Sequence, residues 1–385
     1  RSSVSNFSIF SKRQNFNFQN WSREKILGAL IIIVLVLTMS IWWLRGRAED
    51  QRKIDQFNIV LREVQEALGS AETTGQYNKD QAGQILNDAE KKALEVLNAR
   101  YFSAKANALL KSIQETRDKL DGVLHPKVKI VADLGQKRAN VSTLGLLNLK
   151  KIFYAFEYNA LYAIMLDKVQ DPLTIDDNEA VIAGSTFSDK DSLLFYTKSG
   201  KIIEYKDNRF SFVPVVTGAF HKALAFQAYS NKIYLLEPET NQIWRYTRRR
   251  DKFDPPEAYN IDADVKKGVS LAIDGNVYVL SSDGTIVKLF SGNKQNLIIK
   301  KHPTKPLTAP TKIFTQLNLP HLYVLEPKER RVLVYFKDDK VGGGLIYTAQ
   351  YIFDDIADPR DLYVDKDANK LYIMDQSKVY EAGLN

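Results

Sequence analysis

The sequence predicts a multidomain chain in which a single transmembrane helix and an α-helical hairpin stalk lead into an all-β, six-bladed propeller. Three observations carry this. An uncharged apolar run of nineteen residues spans Ile26 to Leu44; no proline occurs between Arg1 and Leu124, where apolar residues recur at helical spacing; and after Pro126 one strand–turn–strand phrase keeps returning. The implied division is a basic N-terminal tail over 1–25, the membrane helix over 26–44, the stalk over 45–124 and the propeller over 125–385.

The 385 residues have room for two or three such units, and 44% hydrophobic content is that of a folding chain. The first residue is Arg1 rather than an initiator methionine, so a fragment or processed form with a further domain upstream is expected. The absence of cysteine excludes disulfides, thiolate zinc sites and cysteine nucleophiles. The formal charge of +8 is unevenly placed, the first 25 residues holding five Lys or Arg against one Glu. The densest basic cluster, Arg248 to Arg250, is followed by Asp251 and Asp254, which reads as a solvated loop. Nucleic-acid binding needs a concentrated basic stripe, and no nucleic-acid partner is expected.

The run ILGALIIIVLVLTMSIWWL lies between Arg23 and Lys25 on one side and Arg45 and Arg47 on the other. As a helix it spans about 28 Å, close to the hydrocarbon thickness of a bilayer. Trp21, Trp42, Trp43 and Arg45 fall where headgroups would lie. A cleaved signal peptide would end in small residues, whereas this run ends in Trp-Trp-Leu-Arg. Lys and Arg within twenty residues number four before the run and five after it, so the positive-inside rule does not orient it. The acidic Glu49, Asp50 and Asp55 on the C-terminal flank, with the analogy of the following domain to exported ones, favour an inside N-terminus and an extracytoplasmic propeller.

In the stalk, Ile54, Phe57, Leu61, Val64 and Leu68 form a seam at three- and four-residue intervals over two heptads. The spacing predicts a first helix that stops near Gly69, a turn over Ser70 to Gly75, and a second helix from about Asn78 to Leu124. Along that second helix the apolar face switches. Ala82, Leu86, Ala89, Ala93 and Leu97 make one stripe, while Phe102, Ala106, Leu109, Ile113, Leu120 and Leu124 lie nearly opposite. The first stripe suits the Ile54 to Leu68 seam and the second must bury itself elsewhere. A spacer that covers apolar surface is the simplest role, and a homodimer through the stalk is its main competitor.

Beyond Pro126 the recurring phrase reads KIYLLEPETNQIWRY from Lys232, NVYVLSSDGTIVKLF from Asn276, HLYVLEPKERRVLVYF from His321 and KLYIMDQSKVYEAG from Lys370, with a looser copy from Ser192. Its anchor moves from Leu194 through Tyr234, Tyr278 and Tyr323 to Tyr372, in steps of 40, 44, 45 and 49 residues. That is the length of a four-stranded propeller blade. A degenerate copy at ALYAIML from Ala160 makes six. Further strands at Ala223 to Ala228, Val269 to Ile273, Thr311 to Thr315 and Asp361 to Val364 would line a central channel. The last copy has only three strands, and VKIVAD at Val128 to Asp133 can supply the fourth and close the ring.

The four histidines, at 125, 221, 302 and 321, form no metal-ligand spacing, and no GxSxG, Walker or GxGxxG motif occurs. Neither a cofactor nor a metal is expected. Asp365, Asp367 and Asn369 begin like a calcium loop, but Lys370 stands where its glycine belongs and Gln376 where its bidentate acid belongs. Glu237, Ser281, Glu326 and Asp375, with Thr197, occupy one position of the repeat at the end of the second strand. A ring would bring them to one face, as a binding annulus or as caps of their own turns. The Tyr series reads as packing between blades.

The phrase from Leu322 to Tyr335, an apolar strand, a turn and Arg-Val-Leu-Val-Tyr, resembles the bacterial NHL and YncE-like propellers over Pro126 to Asn385. The succession of anchor, helical hairpin and propeller resembles the C-terminal half of bacterial membrane proteins that carry a cytoplasmic PPM-type protein phosphatase ahead of the anchor. The resemblance implies that any phosphatase lies upstream of Arg1, since its metal-binding aspartate motifs are not in this sequence. The expected function is therefore a membrane-tethered extracytoplasmic module for binding, scaffolding or sensing. Its partners would be the lipid bilayer through Ile26 to Leu44 and a protein, peptide or glycan at the propeller. The alternative is a lyase or hydrolase in the channel, which would need His, Arg and acids at inner-strand ends that offer mostly Ala, Leu, Phe and Ile.

Overall fold

The computed structural model describes residues 23–176, 178–338, 340 and 344–384. Three α-helices precede six β-sheets among them: α1 (Arg23–Gly75), α2 (Lys79–Asn98) and α3 (Ser103–Asp121). The chain divides into two compact units, one of residues 1–67 with 88–111 and one of residues 68–87 with 112–385.

In the first unit α1 carries the apolar run. Its described large apolar side chains between Leu30 and Trp43 are each at least 50% exposed. The hydroxyls of Thr38 and Ser40 bond back to carbonyls of the same helix, and the Arg47 guanidinium lies 3.7 Å from the Trp43 ring centre. Among the described residues no helix is long and apolar enough to cross a membrane. Trp21, and the side chain of Arg45, lie outside those described. Further along, Leu61 packs on Val96 and Ala106, Lys92 pairs with Glu63 at 2.6 Å, and Tyr101 donates to Asp50 at 3.0 Å.

The helical boundaries differ from the sequence expectation in two places. α1 does not stop at Gly69 but runs on to Gly75, because fully buried Ala71 extends the Val64 and Leu68 seam at the next three-residue step. One glycine weakens a helix by only about 1 kcal/mol, about what burial of one methyl group returns, so it does not by itself end the helix. The expected second helix is two, broken over 99–102, where Arg100 adopts the left-handed conformation at φ 62. The switch of apolar face is thus made by a turn between α2 and α3 rather than by one helix with two faces. Helix α3 ends at Asp121, and Val123–Leu124 leaves it as a short strand parallel to Gln350 and Tyr351.

In the second unit α2 starts at an Asn78 cap, whose side chain accepts from the Gln81 N–H at 3.1 Å. A side chain at Gly75 would run into Leu120. The six sheets are the six expected blades, each with four antiparallel strands from an inner strand outward; in the fifth, Val123–Leu124 and Ile299–Lys300 add parallel pairings to the outer strand. The inner strands are Gly145–Leu149, Val181–Phe187, Ala225–Tyr229, Gly268–Ile273, Lys312–Phe314 and Asp361–Asp365. The second strands are Ile152–Phe156, Ser192–Thr197, Lys232–Glu237, Val277–Ser281, His321–Glu326 and Lys370–Met374. In the first blade, ALYAIM is the third strand, and the repeat phrase begins one strand earlier, at KIFYAFE.

Ring closure follows the sequence expectation. Lys129–Asp133 pairs antiparallel with Lys378–Gly383 as the outer strand of the sixth blade, Lys129 opposite Glu381 and Asp133 opposite Lys378. Closure covers the edge of Lys378–Gly383 and gives that blade its fourth strand. The repeat anchors pack as their spacing implies: Tyr154, Leu194, Tyr234, Tyr278, Tyr323 and Tyr372 each enter the apolar cluster between their own blade and the next. The core is therefore a ring of interblade seams, with polar backbone satisfied inside each sheet.

Candidate functional site

The strand register decides which end of the channel each candidate occupies. Inner-strand starts face second-strand ends, as in Gly145 opposite Phe156, Val181 opposite Thr197 and Asp361 opposite Met374. The annulus of Thr197, Glu237, Ser281, Glu326 and Asp375 therefore stands at the end where inner strands begin. Glu157 is its member in the first blade, and shares their position three residues after the anchor Tyr154. Placing the first copy of the repeat at Ala160, one strand late, hides it.

These residues cap their own surroundings. Glu326 accepts from the N–H groups of Thr308 and Ala309 at 2.6 and 2.8 Å and from Arg331 Nε at 2.8 Å. Burial pushes its carboxyl up, but the two N–H groups and the guanidinium outweigh that and hold it below the ordinary value. Glu237 accepts from Trp244 Nε1 at 2.7 Å and from Thr240 at 2.8 Å. The Trp244 indole stacks on His221 with ring centres 3.7 Å apart. Asp375 accepts from the Ser377 and Lys378 N–H groups and from Tyr380. Thr197 accepts from the Lys201 N–H at 3.1 Å, and the buried Ser281 donates its main-chain N–H to Thr285 at 2.8 Å. Glu157 accepts from Ser142 N and the Tyr162 hydroxyl, and burial together with this carboxylate pushes Tyr162 up to about 12. The geometry is that of turn and loop capping at each blade rather than of six groups meeting at one point.

The Arg248 to Arg250 cluster is likewise absorbed. Arg248 is buried and pairs with Glu204 at 2.9 Å, and Arg249 pairs with Asp254 at 2.6 Å. The solvated-loop expectation holds for the latter and fails for Arg248, whose guanidinium also lies over Phe253.

The concave feature is the channel itself, a cavity of about 730 Å³ between the six inner strands. Its mouth is at the opposite end from the annulus, where inner strands finish. Lys150, Asp189, Ser230, Gln316 and Lys366 ring it, from five different blades. Leu146, Ile313 and Leu362 stand along it but are buried in the seams between blades, and its lining surface, with Ser185 and Gln227 among the residues that make it, is more polar than apolar. The volume falls in the range of ligand pockets. Sequence reasoning missed this end because its residues come from two- to six-residue turns without a motif. The available signal was the left-handed turn chemistry just ahead of each repeat phrase, as at Lys150, Asp191, Ser230 and Asn369. Among the described residues no cluster of His, Asp and Glu could hold a metal ion.

Fold and cavity together define a six-bladed β-propeller with a mixed polar channel mouth, preceded by helices. No family model matches the chain, and no curated protein matches it. Among solved structures it is similar to the RRP9 WD40 repeats, at 8% identity and a TM-score of 0.49 over 68% of this chain and 99% of that one. It is also similar to YCF48 bound to D1 peptide, at 10% identity and a TM-score of 0.43 over 69% and 98% of the two chains. PorZ of Porphyromonas gingivalis shows 15% identity and a TM-score of 0.41, over 67% of this chain and 38% of that one. Likeness at this level says nothing of function.

Proposed function

We propose that this chain is a membrane-tethered binding module, whose propeller stands outside the cytoplasm and takes a protein, peptide or glycan at the channel mouth. The observation that carries the binding role is the cavity of about 730 Å³, rimmed by polar and charged side chains from five blades. The tether is supported by the uncharged run from Ile26 to Leu44 and by the exposure of its described apolar side chains, which water would penalise and lipid would not. A catalytic role is not part of this reading.

The uninterrupted α1, from Arg23 to Gly75, favours a sensing variant of the same role, in which occupancy of the propeller is reported along the helix to a domain upstream of Arg1. A PPM-type phosphatase is the domain that the resemblance suggests. Protease added to intact cells tests the topology: digestion of the propeller is the expected result, and its protection would remove the extracytoplasmic assignment. Extraction of the chain into carbonate at high pH would remove the tether itself. Binding is tested by retention of envelope fractions on the immobilised full chain, without turnover of the bound material.

A further inference from the structure

The outer strands of the six blades are not protected alike. In the first and third blades they are broken into two-residue pieces, Lys168–Val169 with Leu173–Thr174 beside Pro172, and Lys252–Phe253 with Glu257–Ala258 around Pro255 and Pro256. In the fourth, Asn293–Gln295 is short, and the Asp262 carboxylate takes the outward N–H of Lys294 at 2.6 Å. Val123–Leu124 and Ile299–Lys300 cover the fifth, and a bulge between Ile130 and Ala132 interrupts the sixth. Short pieces, prolines, bulges and covers are the usual means by which an edge is kept from pairing with another chain. The second blade has none of them among the described residues. Its outer strand Arg209–Val213 runs in unbroken register with Ile202–Lys206, and no strand lies beyond it.

We propose that this edge takes an extended acidic segment of a partner protein as an added antiparallel strand, an inference that does not rest on the channel reading. The turn at Asp207 and Asn208, both at positive φ, makes Lys206 and Arg209 the closing hydrogen-bonded pair of a tight hairpin. Bonding alternates along such a ladder, so Ser211 and Val213 also bond inward, and the main-chain N–H and C=O groups of Phe210 and Phe212 point away from the sheet. The Phe210 ring packs on Tyr205 and Phe195, with ring centres 4.8 and 6.4 Å apart. Phe212, on the same face, is 50% exposed, with the Lys201 ammonium 5.2 Å from its ring centre. The other face sets Lys206 directly across from Arg209; both are exposed, and neither is paired with an acid among the described residues. Like charges so placed repel, and an acid opposite Arg209 on an added strand relieves them. Arg209 bonds inward, so that acid would face it as a non-hydrogen-bonded pair, in which side chains come closer. Read from its N-terminus, the segment is any residue, apolar, any, apolar, acidic. A second copy of the edge fits less well: pairing Phe210 with Phe212 of the other copy sets Arg209 against Val213 and leaves the cations of both copies unrelieved.

The test measures the fluorescence anisotropy of a labelled, amidated Thr-Val-Thr-Val-Glu peptide with the full chain in detergent micelles, beside a Thr-Val-Thr-Val-Lys counterpart. Saturable binding of the Glu peptide, about tenfold tighter than that of the Lys peptide, is expected. Lys206→Glu combined with Arg209→Glu should reverse the preference. N-methylation of either Val, whose N–H meets the edge, is expected to weaken binding about tenfold, whereas N-methylation of the central Thr, whose N–H points away, should leave it within about twofold. That comparison uses the unaltered chain and stands whether or not a variant folds. Phe212→Pro removes an outward N–H without breaking a ladder bond and should abolish binding. Absence of saturable binding, or equal effects of methylation at Val and Thr, overturns strand addition. Equal affinity for the Glu and Lys peptides overturns the acidic assignment, and binding that survives in a folded Phe212→Pro chain overturns the location. Self-association that Phe212→Pro abolishes and the Glu peptide does not displace overturns the partner in favour of a second copy.

Discussion

The Asp121 carboxylate, at the end of α3, accepts the main-chain N–H and the hydroxyl of Thr304, at 3.0 and 2.6 Å. Asp121 is 1% exposed and is also paired with Lys79 at 2.9 Å, while its main-chain carbonyl accepts from the Tyr347 hydroxyl. One residue thus joins the start of α2, the end of α3 and the loop that enters the fifth blade. Asp121→Ala is expected to destabilise the second unit by about 3 kcal/mol, the usual effect of stripping one partner from a buried charge network. Thr304→Val should cost only about 1 kcal/mol, because Lys79 and the Thr304 N–H remain. Urea midpoints of the two variants give the comparison; equal and small losses would mean that the helices contribute little to the folded propeller.

The closing strand makes a prediction about register. A bulge between Ile130 and Ala132 places Val131 and Ala132 both inward, while Ile130 is 50% exposed. Ala132→Asp would bury an unpaired carboxylate in the seam between the sixth and first blades, at about 3 kcal/mol or more. Ile130→Asp on the same strand should stay within about 0.5 kcal/mol of the parent. A thermal melt separates them, and the reverse order would mean that the strand pairs one residue out of step.

Glu326 gives the pH dependence. Its folded carboxyl is held below the ordinary value, so between that value and the folded one the unfolded chain binds more protons, and stability rises with pH. The contribution is present above about pH 4.3, the unfolded carboxylate value, and is lost as pH falls through the folded one. Glu326→Gln is expected to lower stability at pH 7 by about 3 kcal/mol. The gap to the parent should narrow as the solution is acidified below pH 4.3. A gap that stays constant to pH 2 would show that Glu326 does not titrate with folding.

How much of this was legible depends on what repeats. The anchors from Leu194 to Tyr372 recur because each must fill a seam of the same shape, so their spacing exposes the blades and the missing strand at Val128 to Asp133. The channel does not announce itself. Its lining is drawn from the six inner strands and from the turns that end them, which share no motif. Glu326 was legible as a repeated position but not as a cap, because Thr308 and Ala309 come from a loop without pattern. The helix through Gly69 was misread because a glycine looks decisive in sequence, whereas burial of Ala71 overrides it.

The break between α2 and α3 is the place where one substitution tests a local conformation. Arg100 sits at φ 62, a region that disfavours any side chain with a Cβ by about 1 kcal/mol, and it follows the last turn of α2 at Asn98. The turn is closed by the Arg100 N–H donating to the Leu97 carbonyl at 3.1 Å, an arrangement that glycine reproduces without strain. Arg100→Gly should therefore raise stability by up to about 1 kcal/mol, even though glycine is the poorest helix former after proline. A continuous helix through this point would respond with the opposite sign, losing about 1 kcal/mol. Chemical denaturation of this single variant, read by helical circular dichroism, distinguishes two packed helices from one rod with two faces.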